Sequence, residues 1–121
     1  MAFSTVALST RFGTNFAKDT DADNTADTLS SSSVTVYSVE INNTANASAS
    51  SYIKFFNAAS PTVGTDEPHM ILKAQKAATV TYHFDQGIAF DTALSIAGLT
   101  TAGKAGTTGP VSNVVVKVVY D

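Results

Sequence analysis

The sequence contains no cysteine and no tryptophan, and only 14% of its 121 residues are charged. Without cysteine there is no disulfide framework, no thiolate chemistry and no cysteine-ligated metal. Charged residues make up about a quarter of a typical soluble domain, so this chain is poor in charge. No apolar run reaches the 18 residues of a membrane-spanning helix, and we expect no membrane partner. These absences leave one charge-poor domain as the simplest interpretation.

Positive charge is scattered along the chain, and the formal net charge is −3. Nucleic-acid binding requires clustered cations that neutralise phosphates, so we expect no nucleic-acid partner. The first nine residues have neither a basic stretch nor a long apolar core, which predicts synthesis in the cytoplasm without a signal peptide. The seven cationic residues are Arg11, Lys18, Lys54, Lys73, Lys76, Lys104 and Lys117.

Small residues replace the missing charges: the chain has 18 Ala, 17 Thr and 13 Ser. Such side chains lose little entropy when a surface becomes ordered against a neighbour. This composition favours a protein that assembles with others. An ordinary neutral β-protein surface is the alternative that composition alone leaves open.

The segment 111–121 carries six valines and predicts the last strand of the fold. Valine is β-branched and suits a pleated, half-buried surface. Val114, Val116 and Val118 share one parity, while Val115 and Val119 take the other. A strand that is apolar on both faces belongs in the middle of a sheet, so we expect a central position for it.

Further alternating segments predict an all-β antiparallel sandwich, or jelly-roll-like fold, of about seven or eight strands. Val34 and Val36 lie on the opposite parity from Tyr37, Val39 and Ile41. This change predicts a bulge or burial on both faces near Tyr37. Asp85-Gln-Gly87 predicts a turn, and residues 91–99 fit either a strand or a short helix. The other predicted strands cover residues 2–12, 34–42, 52–57, 69–73, 78–84 and 88–90.

Residues 13–33 contain four aspartates and a serine run but few large apolar side chains. This composition predicts a long acidic and Ser-rich surface loop or extended arm. We therefore divide the chain into an N-terminal segment, 1–33, with one strand and this arm, and a sandwich domain, 34–121. On this division, we expect that deleting residues 2–30 leaves a folded chain that no longer assembles.

The acidic segment also contains the best metal candidate. Asp19, Asp21, Asp23 and Asp27 occupy positions 1, 3, 5 and 9 of a calcium-loop pattern, which supplies hard oxygen ligands at alternate positions. However, Asn24 stands where the pattern has glycine, and Ser30 stands where it has glutamate. The pattern therefore favours a solvated acidic loop, or an arm that meets a basic partner, over a Ca²⁺ site, and we expect no cofactor.

No residue pattern indicates an enzyme. His69 and His83 are the only histidines, and neither has a nucleophile or carboxylate at a spacing typical of catalysis. Glu67 and His69 supply at most half of a metal site. The glycine-rich segment 102–110 lacks the Gly-Lys-Ser/Thr order of a phosphate-binding loop and is interpreted as a connecting loop.

Phe3, Phe12 and Phe16 flank the acidic segment. Most other aromatic residues lie on predicted strands, where core packing is the simplest role. We predict that these three phenylalanines anchor the N-terminal segment on a neighbouring subunit.

Segments of residues 34–121 resemble small virion structural proteins of tailed bacteriophages, cyanobacterial ones especially. The resemblance is carried by the runs 36–46, 52–60 and 63–72, by Phe84-Asp-Gln-Gly-Ile-Ala-Phe90, by 100–110 and by the valine strand. It implies a β-sandwich that assembles in the virion as a homo-oligomer, dimer or trimer. No catalytic or binding residue can be transferred, because such proteins act by surface complementarity.

Within the virion, the resemblance favours a capsid decoration (cement) protein that binds and stabilises the lattice of the major capsid protein. A tail, baseplate or fibre component that binds a host surface or glycan is the alternative. A single domain without a fibrous repeat or a hydrolase motif suits the first location better.

Overall fold

A computed structural model describes residues 15–121, which form eight strands and no helix. Their order along the chain is β1 (Asn15–Ala22), β2 (Asp27–Ser30), β3 (Val34–Asn42), β4 (Ser51–Phe56), β5 (Met70–Ala74), β6 (Thr79–Phe90), β7 (Leu94–Leu99) and β8 (Val114–Tyr120).

The strands form two four-stranded antiparallel sheets that pack as a sandwich, which confirms the predicted fold class. The strand order is β1-β8-β3-β6 in the first sheet and β2-β7-β4-β5 in the second. Alternating apolar side chains from both sheets fill the space between them. The core is dominated by Val36, Val39, Ile41, Ile53, Phe55, Phe90, Leu94, Ile96, Val114, Val116 and Val118.

The valine strand β8 lies between β1 and β3, as its two apolar faces predicted. Val114, Val116 and Val118 are fully buried against the second sheet, whereas Val115 and Val119 are half-buried on the outer face. Backbone hydrogen bonds on both sides and apolar packing on one face hold this strand in the sheet.

A bulge lies beside Tyr37, as the change of parity predicted. Val36 pairs with Ile88 and Ser38 pairs with His83, so residues 84–87 of β6 lie opposite Tyr37. Gly87 has a φ of 75°, and a Cβ atom there would lie 2.3 Å from Cγ2 of Thr35. The predicted turn at 85–87 is therefore wrong: glycine lets β6 bulge and continue to Phe90.

The prediction of a long loop or arm over 13–33 is wrong for most of its length. Residues 15–22 and 27–30 are β1 and β2, one edge strand in each sheet. An edge strand needs backbone partners more than large apolar side chains, and β8 and β7 provide them. The strand predicted over 2–12 lies outside the described residues. Residues 91–99 contain a strand, β7, and no helix within the described structure.

The outer face of the second sheet is covered over its central strands β4 and β7 but not at Ile71 on the edge strand β5, whereas the outer face of the first sheet carries exposed side chains. Phe56, Ala97 and Leu99 point away from the central core and are nevertheless buried. The connections 57–69 and 100–113 lie over them, and Gly64 approaches Thr107 where the two connections meet. This asymmetry decides which surfaces remain available to a partner.

Candidate functional site

The candidate site begins with Asp19 at the edge of the first sheet. Asp19 pairs with Val116, whose side chain points into the core, so Asp19 faces the space between the sheets. The register shifts between Asp19 and Ala22, and the Asp21 backbone N–H donates to Oδ1 of Asp19 at 3.1 Å. This bulge brings Asp21 beside the buried carboxylate.

Asp27 lies on β2, in the opposite sheet. It pairs with Ile96 of β7, another side chain of the central core. Residues 23–26 carry the chain from β1 in the first sheet to β2 in the second. Asp19 and Asp27 therefore meet across the edge of the sandwich where β1 and β2 lie, which we call the β1/β2 seam.

Gly98 allows the crossing at this seam. Its backbone N–H donates to the carbonyl oxygen of Asp23 at 2.7 Å. A Cβ atom on Gly98 would lie 2.7 Å from the carbonyl oxygen of Ala22, so any side chain would push the crossing away. Sequence reasoning missed this residue, although an isolated glycine within a strand is a signal of close backbone approach.

One carboxylate oxygen from each of Asp19, Asp21 and Asp27 lies within 4.8 Å of the other two. Only 8% of the Asp19 surface is exposed, and its Oδ2 atom has no hydrogen-bond partner within residues 15–121. Burial, followed by the side-chain contact with Asp27, raises the pKa of Asp19 to about 7. The ion pairs of the described residues, Lys104–Glu67 and Lys117–Glu40, do not neutralise this cluster.

The structure thus assembles three of the four aspartates that the calcium-loop pattern singled out. Asp23 is the exception, because its Oδ1 accepts the Thr25 backbone N–H at 2.9 Å within the crossing. The carboxylates come from two strands in different sheets rather than from one loop. The loop spacing singled out residues of which three come together, but through a geometry that the chain does not adopt.

Lys54 is a buried cation that sequence reasoning counted only as one of the scattered lysines. It is fully buried on the outer face of β4, and burial lowers its pKa. Its Nζ donates to the carbonyl oxygens of Gly103 at 2.6 Å, Lys104 at 3.2 Å and Gly106 at 3.4 Å. A lysine between Ile53 and Phe55 in an otherwise apolar strand was the available signal.

His69 contacts Ala89 and Phe90, whereas His83 is exposed on a strand. Nε2 of His69 lies 2.9 Å from the Ala89 carbonyl oxygen, and its ring packs edge-on against Phe90 with centroids 4.9 Å apart. Glu67 instead pairs with Lys104 at 3.5 Å, so Glu67 and His69 are engaged separately. His83 lies exposed on β6, on the outward parity that the sequence predicted.

Phe16 is 61% exposed on the edge strand β1, where it pairs with Val119 on the outer face of the first sheet. Phe3 and Phe12, the other two predicted interface residues, lie outside the described residues. The proposed interface role of all three phenylalanines stays a prediction.

Comparisons of the chain with protein-family models, curated proteins and solved structures find no match. Residues 15–121 contain no helix that is long and apolar enough to cross a membrane.

Proposed function

We propose that this chain is a structural protein of a tailed-phage virion, specifically a decoration protein that binds and stabilises the major capsid protein lattice. The observation that carries the proposal is the outer face of the first sheet. This face leaves the large apolar side chain of Phe16 exposed beside half-buried valines and polar side chains. The resemblance over residues 34–121 supplies the phage context.

The strand register defines two neighbouring rows on this face. One row runs from Phe16 through Val119 and Ser38 to His83. The next row contains Lys18, Lys117 and Glu40. Nζ of Lys117 and Oε1 of Glu40 lie 3.7 Å apart, whereas Lys18 forms no ion pair among residues 15–121. A partner that covers this face meets one ion pair and one unpaired cation, and an acidic group opposite Lys18 would limit the cost of burying that charge.

Phe16 is the expected anchor of the contact. Interface energy concentrates in a few large side chains that fill a pocket on the partner, and aromatic residues are enriched among them. The low charge and the many Ser, Thr and Ala residues reduce the entropy lost by the surrounding contacts. A second copy of the chain is a further expected partner, in a dimer or trimer.

Co-sedimentation with purified capsid shells of the virus that encodes the chain tests this proposal. We expect the wild-type chain to sediment with shells and Phe16→Ser to bind at least about tenfold more weakly, the effect of losing one anchor residue. Ile71→Ser is the matched control, because Ile71 is an exposed apolar residue on the covered sheet. Equal binding by Phe16→Ser and wild type would contradict the assignment of this face.

A tail, baseplate or fibre module that binds a host surface or glycan is the second candidate function. The acidic cluster at the β1/β2 seam favours it, since a cation held there could support metal-dependent adhesion. A wild-type chain that ignores capsid shells but binds host-cell envelopes would select this alternative over decoration.

A further inference from the structure

We propose that Asp19, Asp21 and Asp27 form a Ca²⁺ site at the β1/β2 seam of the sandwich. The proposal does not depend on where in a virion the protein functions. It is carried by the geometry of the three carboxylates and by an unpartnered oxygen of a buried side chain.

The spacing of the oxygens suits calcium. Ca²⁺ binds oxygen ligands at about 2.3–2.6 Å, so two ligands on opposite sides of the ion lie at most about 5 Å apart. One oxygen from each of the three residues lies within 4.8 Å of the others. Mg²⁺ requires near-ideal octahedral geometry, whereas Ca²⁺ accepts six to eight oxygen ligands in flexible arrangements, which suits carboxylates held on strands of two different sheets.

The Oδ2 atom of Asp19 provides the second, independent observation. Asp19 is more than nine-tenths buried, and Oδ2 accepts no hydrogen bond from a backbone N–H or a cationic side chain in the described part of the chain; the other polar neighbours of this side chain are the carboxyl groups of Asp21 and Asp27. A buried polar atom without a partner is unfavourable, so native structures nearly always satisfy such atoms. The other oxygen, Oδ1, already accepts the Asp21 N–H, which leaves Oδ2 as the atom available to a ligand.

The charge of the cluster points to a cation. Three carboxylates meet where the two ion pairs among residues 15–121 supply no positive charge. Like charges at this distance repel, and a divalent ion would neutralise most of the charge. Asp21 is exposed and leaves the site open to solvent, so water can complete the six to eight ligands that Ca²⁺ takes.

The fold holds these ligands in place from two sheets. Asp19 and Asp21 are fixed by β8 and the bulge, whereas Asp27 is fixed by β7. A bound ion would therefore connect the edge strands of both sheets. Because such a site forms only in the folded chain, Ca²⁺ should stabilise the native state.

Thermal unfolding of the full-length chain in 10 mM Ca²⁺ and in EDTA tests the proposal. We expect Ca²⁺ to raise the Tm of the wild type by about 5–10 °C, the stabilisation expected when the ion is well above its Kd. Asp19→Asn and Asp27→Asn should lose the rise. Asp23→Asn is the matched control: it removes a carboxylate from the same crossing, outside the cluster, and should keep the full rise.

Isothermal titration calorimetry should give one Ca²⁺ per wild-type chain and no binding by Asp19→Asn. A merely structural Asp19 would instead lower the Tm of Asp19→Asn equally in EDTA and in Ca²⁺. That result would overturn the Ca²⁺ site. An unchanged wild-type Tm in Ca²⁺, or an equal rise of the Tm in Asp19→Asn, would also overturn it. An equal response to Mg²⁺ would overturn its assignment to calcium.

Discussion

At the residue scale, Asp19 has the least ordinary environment of the acidic side chains in the described structure. It lies on the inner face of an edge strand, a position that a strand pattern assigns to an apolar residue. Its bond to the Asp21 N–H satisfies one oxygen, while Asp21 and Asp27 add negative charge around it. In the absence of a cation, the folded protein therefore favours the protonated form of Asp19.

This environment predicts a pH dependence of stability in EDTA. The pKa of Asp19 is about 7 in the folded protein against a reference value of 3.8, so the folded state binds more protons between these pH values. The free energy of unfolding therefore falls as pH rises from about 4 to about 7. Relative to wild type, Asp19→Asn should gain stability by a few kcal/mol over this range, on the order of 1.4 kcal/mol per pKa unit.

Urea unfolding at pH 4.5, 6 and 8 in EDTA measures this difference. Asp85→Asn, at an exposed position of β6, is the control and should change stability equally at every pH. A constant difference between Asp19→Asn and wild type across the range would contradict the burial argument.

The acidic cluster also shows which properties a local sequence pattern can predict and which it cannot. Alternating aspartates indicated which residues offer hard oxygen atoms, because that property depends on residue type alone, and three of the four come together in the structure. The exclusion of Asp23 depends on the turn in which its carboxylate accepts the Thr25 N–H. No spacing rule contains that contact.

At the element scale, the connection 100–113 is held over the second sheet by one buried lysine. Lys54 on β4 donates to three carbonyl oxygens of this connection, and Thr100 N–H donates to the Thr108 carbonyl oxygen at 2.9 Å. The glycine-rich composition correctly predicted a loop. Lys54, about fifty residues earlier in the sequence, orders this loop together with Asn24, whose Nδ2 donates to the Thr107 carbonyl oxygen at 3.0 Å.

Lys54→Met should release this connection. The substitution keeps a long side chain but leaves the carbonyl oxygens without their charged donor, which predicts a loss of stability of about 1–3 kcal/mol. Limited trypsin digestion measures the local effect, because Lys104 lies exposed within the connection. We expect cleavage after Lys104 to be about tenfold faster in the variant, the ratio that corresponds to about 1.4 kcal/mol of local opening.

Lys76→Met is the control for this experiment, since Lys76 is exposed in the turn between β5 and β6. It should leave both stability and cleavage after Lys104 unchanged within experimental error. Unchanged cleavage in Lys54→Met would mean that the connection is ordered by other contacts.

At the scale of the whole molecule, both sheets depend on the N-terminal part of the described chain. β1 covers one side of the central strand β8, and β2 covers one side of β7. Removing both strands would expose the edges of two strands with buried apolar faces. The sequence-based expectation that the chain folds without residues 2–30 therefore does not fit the observed topology.

Two truncations test this dependence. Deletion of residues 2–30 should abolish cooperative thermal unfolding or cause aggregation, because it removes β1 and β2. Deletion of residues 2–14 retains all eight described strands and should unfold cooperatively. Circular dichroism during heating distinguishes the two, and a cooperative transition at the wild-type Tm after removal of 2–30 would contradict the topological argument.

The sequence by itself determined the all-β class, the alternating core residues and the central position of β8. These properties follow from side-chain periodicity and β-branching, which are local and can be read along the chain. Only the tertiary structure decided that residues 15–30 are edge strands, that Asp19 meets Asp27 across two sheets, and that Lys54 holds the loop at Gly103. These contacts depend on strand register and on how connections cross between sheets, so they arise only when distant segments pack together.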